Sequence, residues 1–338
     1  MHTDPERATL GDAVRPFWHP VAWAADVAER PIATELLGTP LVTWRVGDDV
    51  VVALDRCPHR GTQLSLGGVE DESLVCPYHG WHFAPDGSCA EIPQIVDSGN
   101  IPARAALSMV RSTEKYGIVW AALEEPMAPV PDFPEWDDPT YFHVPCRSYT
   151  WQAGAGRMIE NFTDFGHLGY LHDGLLGVRD DLVVPEHSVT TERLALVYQI
   201  QMAVPNTNDR YAVTDVASER GLQTNSYVLT LPFTIHLRCR YEDSGSYRTL
   251  FFAAQPRSDH ESTGYCFQSR NFDPDADPGD FADFQELLAE QDRPIVESQW
   301  PREIPLGAAD ELHLGFDRVA ISYRRALRRL IAGVVETR

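Results

Sequence analysis

Over the first third of the chain, apolar and polar positions alternate in short runs with a period near two, the mark of half-buried strands. Leu41-Val42-Thr43-Trp44-Arg45-Val46 leads into the turn residues Gly47-Asp48-Asp49 and then Val50-Val51-Val52-Ala53-Leu54, which predicts a hairpin. Ser73-Leu74-Val75, Trp81-His82-Phe83 and the run from Tyr116 to Leu123 read as further strands, with a turn at Pro85-Asp86-Gly87. An all-β unit is expected here. Four prolines between Glu125 and Trp136 fix φ and remove donors, so this stretch is read as an extended connector dividing residues 1–125 from residues 126–338. Beyond it the period changes. Gly154 to His172 reads as one helix, and strand-like alternation follows from about Val189 to Phe267. Phe281 to Gln299 reads as a helix with Phe284, Leu287 and Leu288 on one face, and Val319 to Val335 as another. The second unit is therefore expected to be α+β, an antiparallel sheet with helices packed on it.

Composition narrows the function classes. With 338 residues, 43% hydrophobic and 23% charged, the chain is an ordinary globular one with length for about two domains. Its 28 Lys+Arg against 50 Asp+Glu leave a net charge of −22, a field that repels phosphate backbones and anionic membranes. No run approaches a membrane span, and the polar start Met1-His2-Thr3-Asp4-Pro5-Glu6 has no signal-peptide core, so a cytoplasmic protein is expected. Six cysteines are too few for a disulfide scaffold. Cys89, Cys146, Cys239 and Cys266 read as small buried hydrophobes, whereas Cys57 and Cys76 each have a histidine within three residues.

Those two form the sharpest signal: Cys57-Pro58-His59-Arg60-Gly61 and Cys76-Pro77-Tyr78-His79-Gly80-Trp81. Two thiolates and two imidazoles can bind zinc, or a [2Fe–2S] centre in which two histidines replace two cysteines on one iron. A Cys2His2 zinc finger groups its cysteines apart from its histidines. Here each proline- and glycine-bent loop carries one of each, so two matched loops can grip a cluster from both sides. About 90 residues on comes Asp164-Phe165-Gly166-His167-Leu168-Gly169-Tyr170-Leu171-His172. Asp164 and His167 share a helix face at i, i+3, while His172 would stand about 140° round a regular helix from His167. Both imidazoles reach one metal only if the backbone bends, for which Gly166 and Gly169 give freedom. Two imidazoles and a carboxylate with open positions make the facial triad of non-haem Fe(II) oxygenases.

Both motifs, in this order, resemble the catalytic α subunit of Rieske non-haem iron oxygenases over nearly the whole chain. The resemblance implies an N-terminal all-β Rieske domain and a C-terminal helix-grip-like catalytic domain. It implies that Cys57 and Cys76 hold one cluster iron and His59 and His79 the other. It implies a mononuclear Fe(II) on His167, His172 and Asp292, the last matching the family's E/Q-D pattern, with Asp283 and Glu297 as alternatives. Asp164 matches the family's bridging acid, linking His167 to His79 of an adjacent subunit in a homotrimer, and Asn161 the amide near the iron. O2 is the implied co-substrate. No dinucleotide fingerprint is present, so NAD(P)H is expected on a separate reductase, with or without a ferredoxin. Arg324-Arg325-Ala326-Leu327-Arg328-Arg329 reads as a dock for an acidic redox partner or as an ordinary solvated helix face.

Within the family, the length resembles the homotrimeric branch: phthalate dioxygenase-type enzymes, vanillate and dicamba O-demethylases, and hydroxylases of saxitoxin biosynthesis. Phe133 to Pro139, Glu290-Gln291-Asp292 and Trp300 to Leu306 read closest to the last. Monohydroxylation of a C–H bond in a small organic molecule is the expected reaction; O- or N-demethylation, ring dioxygenation or bare Rieske electron transfer are the alternatives. Met158, Phe162, Leu229, Leu231 and His236 are expected to line the pocket.

Overall fold

The computed structural model describes residues 9–96, 101–205, 220–307 and 310–333. Two compact units emerge, Arg15–Val130 and a second that joins Met1–Val14 to Pro131–Arg338. The expected division at residue 125 falls in the same connector, but the expected grouping of the whole N-terminus with the first unit does not match. Helix α1 (Leu10–Val14) buries Leu10 and Val14 and packs with α5 (Arg318–Ile331) at the far end of the sequence.

The first unit is all-β. Its strands are β1 (His19–Trp23), β2 (Ile32–Leu36), β3 (Thr39–Val46), β4 (Asp49–Leu54), β5 (Gly68–Glu70), β6 (Ser73–Val75), β7 (His82–Phe83), β8 (Cys89–Glu91), β9 (Arg111–Lys115) and β10 (Ile118–Ala122). They form three antiparallel sheets, β2-β3-β4, β5-β6-β7-β8 and β1-β10-β9. The predicted hairpin is β3–β4, closed at Val46↔Asp49. Val42, Trp44, Leu64, Leu74 and Phe83 make one apolar core, and Cys57 and Cys76 belong to it. Removal of this apolar area from water therefore also holds both thiols in place.

The second unit adds β11 (Phe142–Pro145), β12 (Tyr149–Trp151), β13 (Val189–Thr191), β14 (Ala195–Pro205), β15 (Arg220–Thr230), β16 (Thr234–Tyr241), β17 (Tyr247–Ser258) and β18 (Glu261–Arg270). They join in one eight-stranded antiparallel sheet, order β11-β18-β17-β16-β15-β14-β13, with β12 also paired to β18. Helices α2 (Ala155–Phe162) and α4 (Pro278–Glu297) pack with this sheet, and with each other. Asp277 caps α4 by accepting from Gly279 N, with Pro278 at its first turn. Phe284 and Leu288 of α4 are buried as expected, whereas Leu287 is exposed.

The region read as one helix from Gly154 to His172 is two. Helix α2 stops at Phe162 and α3 (Leu168–Leu171) begins after five intervening residues. The Thr163 hydroxyl donates to Ile159 O, and Asp164 takes the next N–H groups on its side chain. Short polar side chains that satisfy the backbone locally end helices, which the helical period alone does not reveal. Gly166 and Gly169, expected to lend backbone freedom here, adopt no left-handed φ. Gly169 instead provides space, because a Cβ there would lie 2.9 Å from Leu182 and 3.0 Å from Val178 O.

Buried ion pairs fix α2 against α5. Arg324 donates to Glu160 at 2.7 and 2.6 Å and to Glu311 at 2.5 Å, and Arg157 donates to Glu311 at 2.7 Å. Arg324 is thus buried, and of the basic run only Arg325, Arg328 and Arg329 face solvent. Among the described residues no helix is long and apolar enough to cross a membrane.

Candidate active site

In the first unit the two Cys-His loops are built alike. Cys57 N donates to Thr62 O at 2.8 Å, and Gly61 N donates back to Cys57 O at 2.9 Å. Cys76 N donates to Trp81 O at 2.9 Å, and Gly80 N donates to Cys76 O at 3.0 Å. Gly61 and Gly80 hold φ of +74° and +68°, a conformation that closes each loop and disfavours any side chain. This repeated geometry presents His59 and His79 side by side, with their Nδ1 atoms 3.2 Å apart. The Trp81 ring stacks on His59 at 4.6 Å, and Gln94 donates to His79 O at 2.8 Å. Both thiols are 2% exposed. Burial pushes the Cys57 thiol up to about 11, against the pull of the His59 N–H, so a thiolate there requires a cation. Two buried sulfurs and two converging imidazole nitrogens fit a [2Fe–2S] cluster held through two cysteines and two histidines.

In the second unit, three donors from two elements meet. His167 enters α3, His172 leaves it, and Asp292 lies on α4. Asp292 Oδ1 is 3.1 Å from His172 Nε2 and 3.7 Å from His167 Nε2, and all three donor atoms lie within 4.8 Å of one another. Donors about 2.1 Å from one ion stand at most about 4.2 Å apart, and the two distances to Asp292 lie within that reach. Asp292 Oδ1 is buried and accepts no hydrogen bond, so the nearby ring nitrogen is not aligned to donate to it. An orphaned carboxylate oxygen costs stability unless a cation takes it up, and this donor set fits a divalent iron.

The outer ring nitrogens are fixed too. Asp164 Oδ2 lies 2.9 Å from His167 Nδ1, and Gln291 Oε1 accepts from His172 Nδ1 at 2.7 Å. Each bond places the ring proton on Nδ1 and leaves the Nε2 lone pair facing Asp292. Asp164 reaches His167 through the turn between the two helices, not across one helix face. Burial alone would raise the Asp164 carboxyl; His167 and the N–H groups of residues 166 and 167 outweigh it and hold it low. In His172 burial opposes the charge, but the Asp292 carboxylate outweighs it and raises the imidazole. Sequence reasoning missed Gln291, although it stood beside Asp292 in the quoted pattern. Adjacent helical positions point about 100° apart, and only the path of α3 past α4 brings both side chains to one site. The alternative acids lie elsewhere: Asp283 sits 3.8 Å from Arg147, and Glu297 accepts from Gln152 N.

The triad opens on a cavity of about 100 Å³ between the sheet and α4. Met158 and Phe162 line it as expected, with Asn161 beside them. Leu229, Leu231 and His236 do not. Leu229 and Leu231 are buried further along the chain, and His236 points through the sheet, where its Nε2 bonds Glu135 Oε2 at 2.8 Å. Successive strand residues face opposite ways, so Leu237 and Cys239 line the cavity where His236 was expected. A second, larger groove of about 980 Å³ runs past Asn161, Asp164 and His167, bordered by exposed Tyr170, Val183, Trp300 and Leu312.

Comparison with known proteins places both halves. Residues 17–110 match the family described as the Rieske [2Fe-2S] domain, and residues 151–333 match the vanillate O-demethylase oxygenase C-terminal domain. The chain is 33% identical over 341 residues to the methylxanthine N1-demethylase NdmA of Pseudomonas putida, spanning 96% of this chain and 92% of that one. It is 30% identical over 337 residues to the methylxanthine N3-demethylase NdmB of the same organism, with the same shares covered. The solved structure of NdmA with caffeine superposes with a TM-score of 0.85 at 31% identity, over 96% of this chain and 92% of that one.

Proposed function

The chain belongs to the Rieske non-haem iron oxygenases, and from that premise we propose that it oxidatively demethylates small aromatic molecules bearing an N- or O-methyl group. Enzymes of this family are oxygenase components that carry a Rieske [2Fe–2S] cluster and a mononuclear iron, use O2, and receive NAD(P)H electrons through a separate reductase. When bound, the two iron centres supply one-electron relay and oxygen insertion into a C–H bond. The observation that carries the reading is the converging set His167, His172 and Asp292 at the edge of a buried, largely apolar cavity. The overall change is R–X–CH3 + O2 + 2 e⁻ + 2 H⁺ → R–XH + HCHO + H2O. Hydroxylation of the methyl carbon is the same C–H chemistry the sequence led us to expect, and loss of formaldehyde follows because carbon then bears two heteroatoms. Relatives named as methylxanthine demethylases favour this outcome over hydroxylation at a carbon-bound position.

The chain's own residues do the positioning. Cys57, Cys76, His59 and His79 hold the cluster, and His167, His172 and Asp292 the mononuclear iron. Gln291 and Asp164 keep His172 and His167 in the tautomer that leaves Nε2 free. Phe162, Phe252 and Leu250 exclude water, and Asn161 faces the bound substrate. The half-exposed Asp164, set in the larger groove with an apolar border, receives His79 of a neighbouring copy in a homotrimer. Turnover with a family reductase and a panel of N-methyl and O-methyl aromatics tests the proposal. One formaldehyde per O2 consumed is expected. Products that retain every substrate carbon would replace demethylation by plain hydroxylation.

A further inference from the structure

The catalytic cavity contains a buried cation that pairs with no acid among the described residues. Arg248 on β17 is 8% exposed, lines the cavity, and its Nε has no hydrogen-bond partner. Among the described residues the only acid lining the cavity is Asp292, which makes no ion pair with Arg248 and belongs to the iron site. Its polar neighbours are Cys239, Tyr227 and Tyr241. Burial holds the Cys239 thiol and the Tyr227 hydroxyl in their neutral forms, so neither balances the guanidinium. On the adjacent strand β18, Arg270 is the register partner of Arg248, and its charge has the same sign. A guanidinium taken out of water is costly until an anion meets it, and its planar fork suits a carboxylate. A second orphan lies in the same row. Asn225, Cys239 and Arg248 are register partners on β15, β16 and β17, and Asn225 Oδ1 is buried without a donor. Two strand spacings, about 10 Å, separate the outer pair, and both side chains line the cavity.

We infer that Arg248 is a specificity-determining residue that anchors a carboxylate on the substrate, with Asn225 accepting a hydrogen bond from an N–H or O–H of the same molecule. The substrate class is then an anionic small aromatic acid. This rests on the oxygenase reading for the identity of the cavity, but it makes a claim about binding that is independent of turnover.

Isothermal titration calorimetry on the iron-loaded protein tests it. The probes are the 2-, 3- and 4-methoxybenzoates and their three uncharged amides. At least one carboxylate should bind about tenfold or more tighter than its amide, the advantage of a charged over a neutral hydrogen-bonded pair. Arg248→Met should reduce that preference to within about twofold, and Arg248→Lys should restore part of it. A panel in which no acid outbinds its amide overturns the inference, and that result needs only the unmutated protein. A preference that survives in Arg248→Met overturns it as well. Failure of the two readings is distinguishable. Arg248-dependent binding of acids without formaldehyde release leaves the anchor standing and removes demethylation, whereas release from uncharged aromatics with no preference for acids does the reverse.

Discussion

Gln291→Leu removes one hydrogen bond and nearly no volume. In the native site Gln291 Oε1 accepts from His172 Nδ1 at 2.7 Å, which keeps the proton off Nε2 and stops the ring turning. Leucine cannot accept, so the buried His172 either leaves Nδ1–H unsatisfied or moves its proton to Nε2, the nitrogen that faces Asp292. Losing such a supporting contact typically weakens metal binding by about 10–100-fold. That corresponds to about 1.4–2.7 kcal/mol, in the range expected for one buried hydrogen bond. The assay is competition for Fe(II) between metal-stripped protein and a chelator of known affinity, with the visible absorption of the cluster as an internal control. Below the raised pKa of His172, each metal ion must displace one proton, so affinity should climb with pH and level off above that pKa. Gln291→Leu should shift the whole curve to weaker binding and leave the visible spectrum unchanged. An unchanged dissociation constant would refute the reasoning that Gln291 holds the ligand.

Other outcomes follow from the same geometry. Cys76→Ser should abolish the visible cluster absorption and reduce iron from about three atoms per chain to about one, read by metal analysis. Arg324→Met leaves Arg157 as the one remaining cation for Glu160 and Glu311 and should destabilise the second unit by about 1–3 kcal/mol, measured by denaturant unfolding. Glu303 titrates at about 7 because burial, and then the charge of Asp259, oppose its ionisation. Its folded pKa lies above the unfolded value, so the folded state binds the extra proton and stability is lost as pH rises from about 4.5 through about 7. Glu303→Gln should therefore raise the melting temperature at pH 8 by about 2–4 °C, for an effect on the order of 1 kcal/mol, and change little at pH 5; a gain at pH 5 equal to that at pH 8 would reject this account.

The sequence alone determined what local rules control. The Cys-Pro-x-His loops are written in adjacent residues, and their prolines and glycines dictate the turns that carry Cys57, His59, Cys76 and His79. Alternation marked the β3–β4 hairpin, and the helical period marked α4 and α5. Tertiary structure decided the rest, because it turns on contacts between residues far apart in the chain. The break after Phe162 that swings His167 and His172 to one point depends on Thr163 and Asp164 winning hydrogen bonds from the helix. The family pattern pointed to Asp292, but that its carboxylate and not that of Asp283 meets the two histidines is set by the rotation of α4 about its own axis, which its packed neighbours fix. His236 missed the cavity by one residue of strand parity, and Arg248 stayed unnoticed because a lone arginine in a strand says nothing of its burial. Sheet register is settled by long-range pairing, and it was register that placed Arg248, Cys239 and Asn225 in one row.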